Sequence, residues 1–243
     1  PGFVGTAWGG FGGDPRVYTA FEIRSGNKRL VVDAPHTEDL HSLVPGAGAY
    51  HPERFAALEQ AMADSSVIVL THTHGDHVAG IPFGSAPDAV ASKLFLNTAQ
   101  HDLLEAMGMP EEPSIRTMGF PAELLAATKR LSDKAWQWLA PGVALISAPG
   151  HTAGHQIVYV SLPDHELLLL GDLVWTLDNV AKERTRPRLI SQLIIGEDAD
   201  LVTDQLAAVI ALADTTPEVL LIPSHDPVAI AHAQRAGALR LAE

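Results

Sequence analysis

Residues 67–80 read VIVLTHTHGDHVAG and place His72, His74, Asp76 and His77 within six positions, directly behind a run of mostly β-branched residues. Imidazole nitrogens suit Zn, Fe, Co or Ni, and a carboxylate adds affinity for harder ions. If VIVLT is a strand, His72 and His74 point the same way from extended chain. Asp76 and His77 follow as the chain turns toward a helix. Four ligand-type side chains in so short a stretch can hardly all serve one tetrahedral ion. The pattern predicts a pair of ions, with His72 and His74 on one and Asp76 and His77 on the other.

Two ions need more donors, and three later segments supply them. APGHTAGH puts His151 after the apolar run 143–148, LLLLGD puts Asp172 at the end of 166–171, and LLIPSHD puts His225 just past 218–222. Each candidate stands beyond the carboxyl end of an apolar strand, the edge of an α/β sheet where ligands collect. Two divalent ions ~3.5–4 Å apart can share a hydroxide, because each lowers the pKa of bound water. Such a hydroxide attacks a carbonyl or phosphorus centre. Asp76, between ligand histidines, is the candidate catalytic residue, orienting the nucleophile and carrying a proton to the leaving group. His36, His41, His51, His101, His165 and His232 read instead as surface or satisfied core residues.

The elements that must position these groups follow from hydrophobic patterning. Residues 17–24 and 29–34 read as a hairpin closed by SGNK, and 52–64 as a helix opened by a proline. Strands are expected at 66–71, 93–97, 143–148, 156–162, 166–171 and 218–223. Helices are expected at 98–107, 199–214 and around 227–241. Residues 108–141 read as irregular, around short helical pieces and four prolines. Both halves, about 1–120 and 121–243, run strands, then metal-type residues, then helix. This predicts one domain, 1–243, with a duplicated architecture.

The chain resembles the metallo-β-lactamase superfamily from the hairpin near residue 17 to His225. The motif H-x-H-x-D-H stands as His72, His74, Asp76, His77, and the later ligands as His151, Asp172 and His225. The resemblance implies an α/β (α+β) fold, an αββα sandwich of two mixed sheets flanked by helices. It implies that His72, His74 and His151 hold one ion, that Asp76, His77 and His225 hold the other, and that Asp172 bridges them. Zn2+ is the first expectation; Mn, Fe, Co and Ni tolerate the same ligands. Asp33, in VVDAPHTED, keeps the family's early aspartate but not the glycine after it. It reads either as an acceptor of a hydrogen bond from a ligand histidine or as a strand-end turn residue. His155, in the same GHTAGH segment as His151, reads as a structural hydrogen-bonder beside the metal.

Within the superfamily, a carboxylate at Asp172 points toward lactonases, thioesterases and phosphoesterases rather than β-lactam hydrolysis. Di-iron redox members carry Glu where this chain has His74. Thioesterases resembling it need a longer C-terminal segment than follows His225. Lactonases share PGHTxGH and GD, but many carry Tyr where GDLVW places Trp175, while some organophosphate-hydrolysing relatives also read GDLV. Trp175 suits an apolar acyl or ester group, or it is a core aromatic. The Gly-rich start, with Phe3, Trp8 and Phe11, and the 108–141 stretch, with Met118, Phe120, Trp136 and Trp138, are candidate substrate walls. Trp136 and Trp138 can equally pack an element down. Lys182, Arg184, Arg186 and Arg188 form either a solvated loop or a seat for a substrate anion.

The reading is therefore a dinuclear metal-dependent hydrolase in which a bridging hydroxide cleaves a lactone or ester of a small, fairly apolar substrate. The alternatives are organophosphate or phosphodiester hydrolysis, then β-lactamase or thioesterase action, or a non-catalytic metal-binding domain. Composition narrows the partners. A net charge of −13 disfavours nucleic acid, whose phosphates call for a basic face. No apolar run approaches the ~18 residues of a membrane span. The absence of cysteine excludes thiolate ligands and disulfides. A small-molecule substrate is expected, and a homodimer is compatible with the reading. The chain begins at Pro1 rather than Met, as if trimmed upstream, which leaves cytoplasm and periplasm both open.

Overall fold

The computed structural model describes residues 16–44, 48–109 and 119–241. They form two compact units, one built mainly from residues 18–134 and the other from 135–241 with the short segment before Tyr18.

In the first unit, β1 (Phe21–Ser25) and β2 (Lys28–Val32) form the expected hairpin, with Ser25 opposite Lys28. The two-residue loop needs positive φ at its first position, and Gly26 takes it at 59°. Then come α1 (Glu38–Ser42), α2 (Pro52–Asp64), β3 (Val67–Val69), α3 (Gly75–Val78), α4 (Pro87–Ala91), β4 (Leu94–Leu96), α5 (Thr98–Met107), α6 (Ala122–Ala127) and β5 (Lys129–Arg130). The sheet runs in chain order from β1 to β5, antiparallel in the hairpin and parallel thereafter. A strand covered on both faces is apolar at successive positions rather than alternate ones, and the three residues of β3 are all buried. The core of this unit gathers Val31, Ile68, Leu70, Leu94, Leu96, Leu104 and Phe120, with Met62 from α2.

The second unit contains β6 (Trp136–Ala140), β7 (Val143–Ser147), β8 (Gln156–Ser161), β9 (Glu166–Gly171), α7 (Leu177–Ala181), α8 (Arg188–Ile190), a π-helical turn (Ser191–Ile195), α9 (Ala199–Thr215), β10 (Val219–Pro223) and α10 (Pro227–Arg235). Its sheet order is β10-β9-β8-β7-β6, antiparallel except for the β10–β9 pair. The α9 stripe Val202, Leu206 and Val209 packs with Leu168, Leu170, Leu173 and Val219. Both sheets are thus mixed, and helices flank them.

Two expectations change. Residues 136–140 belong to a hairpin rather than to an irregular insertion: Ala140 pairs with Val143 across Pro141-Gly142, and Gly142 has φ 72°. Pro followed by a positive-φ Gly is a strong two-residue turn, and it places Trp136 and Trp138 on an edge strand. The last helix stops at Arg235, short of the expected 241, because the chain turns at Gly237 with φ 80°.

Candidate metal centre

The ligand candidates of the first unit stand where β3 runs into α3. Asp33 follows β2 and is fully buried, with φ 63°. A non-glycine residue there costs on the order of 1–2 kcal/mol. Its carboxylate explains why the conformation is held. Oδ1 accepts from the Thr71 amide at 2.6 Å, while Oδ2 accepts from the Thr71 hydroxyl at 2.7 Å and from His77 Nδ1 at 2.8 Å. The proton of His77 is thereby placed on Nδ1, and Nε2 turns toward Asp76, whose Oδ2 is 4.0 Å away.

The Thr71 hydroxyl, having donated to Asp33, accepts from His72 Nδ1 at 3.1 Å. His72 Nε2 then lies 3.1 Å from His74 Nδ1. Two nitrogens held ~2.0–2.1 Å from one tetrahedral ion stand about 3.3 Å apart, so this pair already has nearly the spacing of two ligands. The backbone locks the arrangement. Ala34 N donates to the His77 carbonyl at 2.7 Å, and Gly80 N donates to the Ala34 carbonyl at 2.9 Å. A Cβ on Gly80 would lie 2.5 Å from the Pro35 carbonyl oxygen, so only glycine permits this approach.

In the second unit, His151, Asp172 and His225 follow β7, β9 and β10. The three are buried and face one another. His225 Nε2 is 3.1 Å from Asp172 Oδ1, and His151 Nε2 is 3.6 Å from Asp172 Oδ2. One carboxylate thus presents a different oxygen to each imidazole. The far nitrogens are tethered: His225 Nδ1 donates to the Val17 carbonyl at 2.8 Å, and His151 Nδ1 to Glu197 Oε2 at 2.9 Å. The turn before His151 is held close to α9, where Asp198 N donates to the Gly150 carbonyl at 2.8 Å. Gly150 has φ 151°, and a Cβ there would meet the Val202 side chain at 3.1 Å.

Glu197 and Arg186 are functional candidates that sequence reasoning did not single out as a pair. Arg186 Nε is 3.0 Å from both Glu197 oxygens, and both side chains are buried. Burial works against ionising Glu197, but hydrogen bonds from His151 and Arg186, together with the Arg186 charge, outweigh it and hold the pKa at about 2. The other members of the basic run are solvated, with Lys182 on Asp178 and Arg188 on Asp200 at exposed pairs. Glu197 stands in GEDAD, which reads as an ordinary acidic helix start. The only signal available was that Arg186 and Glu197 flank one excursion of the chain.

The remaining predicted residues are placed as follows. His155 is buried, with Nδ1 donating to the Ala148 carbonyl at 3.1 Å and its ring edge-on to His151. The Trp175 indole N–H donates to Asp172 Oδ2 at 2.7 Å. Trp136 is 56% exposed on β6, edge-on to Trp138 at 5.8 Å. Trp8 and Phe11, with Phe3 and Met118, lie outside the described residues.

The donor set fits divalent cations of the borderline class. His72, His77, His151 and His225 each have an acceptor on Nδ1, the arrangement that orients metal-ligating imidazoles through Nε2. Two carboxylates of opposite character accompany them, Asp172 buried and Asp76 partly exposed.

A family model described as "Metallo-beta-lactamase superfamily" matches residues 13–225. The chain belongs to the metallo-β-lactamase superfamily. Solved structures share the fold. A quorum-quenching N-acyl homoserine lactone lactonase is 15% identical, with a TM-score of 0.62 over 91% of this chain and 82% of its own. A substituted B. thuringiensis AiiA with N-decanoyl-L-homoserine at its active site is 16% identical, with a TM-score of 0.62 over 93% and 85%. AidC, a dizinc quorum-quenching lactonase, is 18% identical, with a TM-score of 0.57 over 85% and 71%. No curated protein matches the sequence significantly. Among the described residues, no helix is long and apolar enough to cross a membrane.

Proposed function

We propose that the chain is a dinuclear hydrolase of lactones or carboxylic esters with a small, fairly apolar acyl or alcohol part. His72, His74 and His151 would hold one ion, Asp76, His77 and His225 the other, and Asp172 both. The observation that carries this reading is the Asp172 carboxylate, with one oxygen toward His225 and the other toward His151. A pair of divalent cations, when bound, supplies an acidified shared water as nucleophile and positive charge for the developing oxyanion; Zn2+ is the first candidate, with Mn, Fe, Co and Ni compatible.

The chain's own residues do the rest. Asp33, Thr71 and Glu197 keep the ligand imidazoles in one tautomer and one orientation. The Asp76 carboxylate, 16% exposed, would orient the nucleophile and pass its proton to the leaving alkoxide. Support for the lactone comes from the likeness to lactonases, and support for an apolar group from the relative that holds an N-decanoyl chain. Phosphotriester hydrolysis is the second reading. It is favoured by Trp175, whose N–H is engaged by Asp172 where many lactonases carry a tyrosine.

The test is a panel of an acyl lactone, an aryl ester, a thioester, nitrocefin and a phosphotriester, run with zinc-loaded protein. The lactone or aryl ester should turn over fastest, and Asp76→Asn should lower kcat by about 10²–10⁴-fold, as loss of a proton-transfer group does. Preferential turnover of the phosphotriester would replace the first reading with the second.

A further inference from the structure

Trp175 and Arg186 meet beside the metal ligands in a way that the hydrolytic reading does not use. Trp175 points its N–H at Asp172 Oδ2, 2.7 Å away, so its one polar group is spent on a carboxylate. Indole has no other donor with which to polarise a substrate carbonyl. The guanidinium carbons of Arg16 and Arg186 lie over the ring, 4.0 and 4.9 Å from its centroid. A cation over the π face draws electron density from the indole and makes its N–H a stronger donor.

Arg186 also grips Glu197, with Nη2 to Oε2 at 2.5 Å, and donates to the Leu173 carbonyl at 3.3 Å. Glu197 in turn holds His151 Nδ1. One buried guanidinium therefore reaches two ligand candidates by separate routes, through Glu197 to His151 and through the Trp175 ring to Asp172.

We propose that Arg186 and Trp175 form a single brace that holds His151 and Asp172 in their ligating orientations, and that Trp175 is a positioning residue of the metal pair rather than part of the substrate wall. The inference rests on the dinuclear reading above. It differs from that reading in what it says of Trp175, and it makes Arg186 the shared support. Removing the N–H frees Asp172 to rotate, which weakens its hold on the pair. Removing the guanidinium loosens both routes at once.

The experiment titrates zinc into chelator-treated full-length protein against a chromophoric competitor, for the wild type, Trp175→Phe and Arg186→Met. Trp175→Phe keeps an aromatic ring for the guanidinium groups and deletes the donor. Groups that orient metal ligands typically cost 10–100-fold in affinity when lost. About 10-fold weaker zinc binding is expected for Trp175→Phe and a larger loss for Arg186→Met, with KM of the hydrolysed substrate unchanged in Trp175→Phe. Unchanged zinc affinity with a raised KM would overturn the proposal and return Trp175 to the substrate wall. Unchanged affinity and unchanged KM would overturn it as well.

Should the wild type itself take up fewer than two ions, the dinuclear reading fails and the inference falls with it; this outcome is recognised without any variant. Should Trp175→Phe not fold, the wild-type indole N–H resonances decide. One should be shifted downfield, slow to exchange and moved by Asp172→Asn. Four rapidly exchanging indole signals would overturn the proposal.

Discussion

Asp33 shows how much a single residue carries here. It occupies a positive-φ position, where glycine or asparagine is less strained, and it accepts three hydrogen bonds in a fully buried setting. Asp33→Asn would keep size and backbone tolerance, but its amide NH2 would face donors. His77 would then lose the acceptor that keeps its proton on Nδ1. Metal affinity should fall 10–100-fold, and stability by about 1–3 kcal/mol for a buried donor left without its acceptor. Zinc titration and urea unfolding would measure these effects. Equal zinc affinity in Asp33→Asn would show that Asp33 serves the backbone and not the metal. Glu197 plays the corresponding part in the other unit. With its pKa held at about 2, the carboxylate stays ionised at any pH at which the enzyme would work. The stability it contributes is present above the ordinary glutamate pKa and is lost as pH falls from there toward 2.

At the level of elements, the ligands are carried by strand ends, and short backbone contacts aim them. The α3 turn is a single turn of helix, too short to be stable alone. It is pinned instead by the Ala34–His77 and Gly80–Ala34 hydrogen bonds. Gly80→Ala would drive a methyl into the Pro35 and Ala34 carbonyl oxygens, 2.5 and 3.0 Å from the new Cβ. Backbone atoms cannot move aside as a flexible side chain would. The expected cost is about 1–3 kcal/mol, typical of overpacking, and zinc affinity should weaken because Asp76 and His77 ride on the displaced turn. Urea denaturation with and without zinc separates the two effects. A variant with wild-type stability and affinity would show that the turn is held by other contacts.

At the scale of the whole molecule, a chain with net charge −13 buries imidazoles and carboxylates so close together that their donor atoms crowd one another. Ions that bind only the native state stabilise it by mass action, by about 2.7 kcal/mol per site at free metal one hundred times Kd. Chelator-treated protein should therefore unfold at a lower temperature than zinc-loaded protein. The gap should widen with free zinc and shrink in His72→Ala. A melting temperature indifferent to zinc would contradict a native metal site altogether.

Much of this was legible in the chain itself. The His72–His77 spacing, the apolar runs before His151, Asp172 and His225, and the hairpin before Asp33 are local features, because donor type and period-two or period-3.6 patterning are properties of neighbouring residues. The strand at Trp136–Ala140 was missed, although Pro141-Gly142 announced its turn, because the surrounding prolines suggested irregular chain. What only the tertiary structure decided were the partners. Glu197 holds His151 from 46 residues away, and Asp33 holds His77 from 44. Trp175 turns its donor to Asp172, and one arginine of a basic run is buried while its neighbours are solvated. The types of the ligands are a matter of composition and spacing. Their tautomers, orientations and supports depend on which distant groups packing leaves within hydrogen-bonding reach, and no short stretch of sequence encodes that.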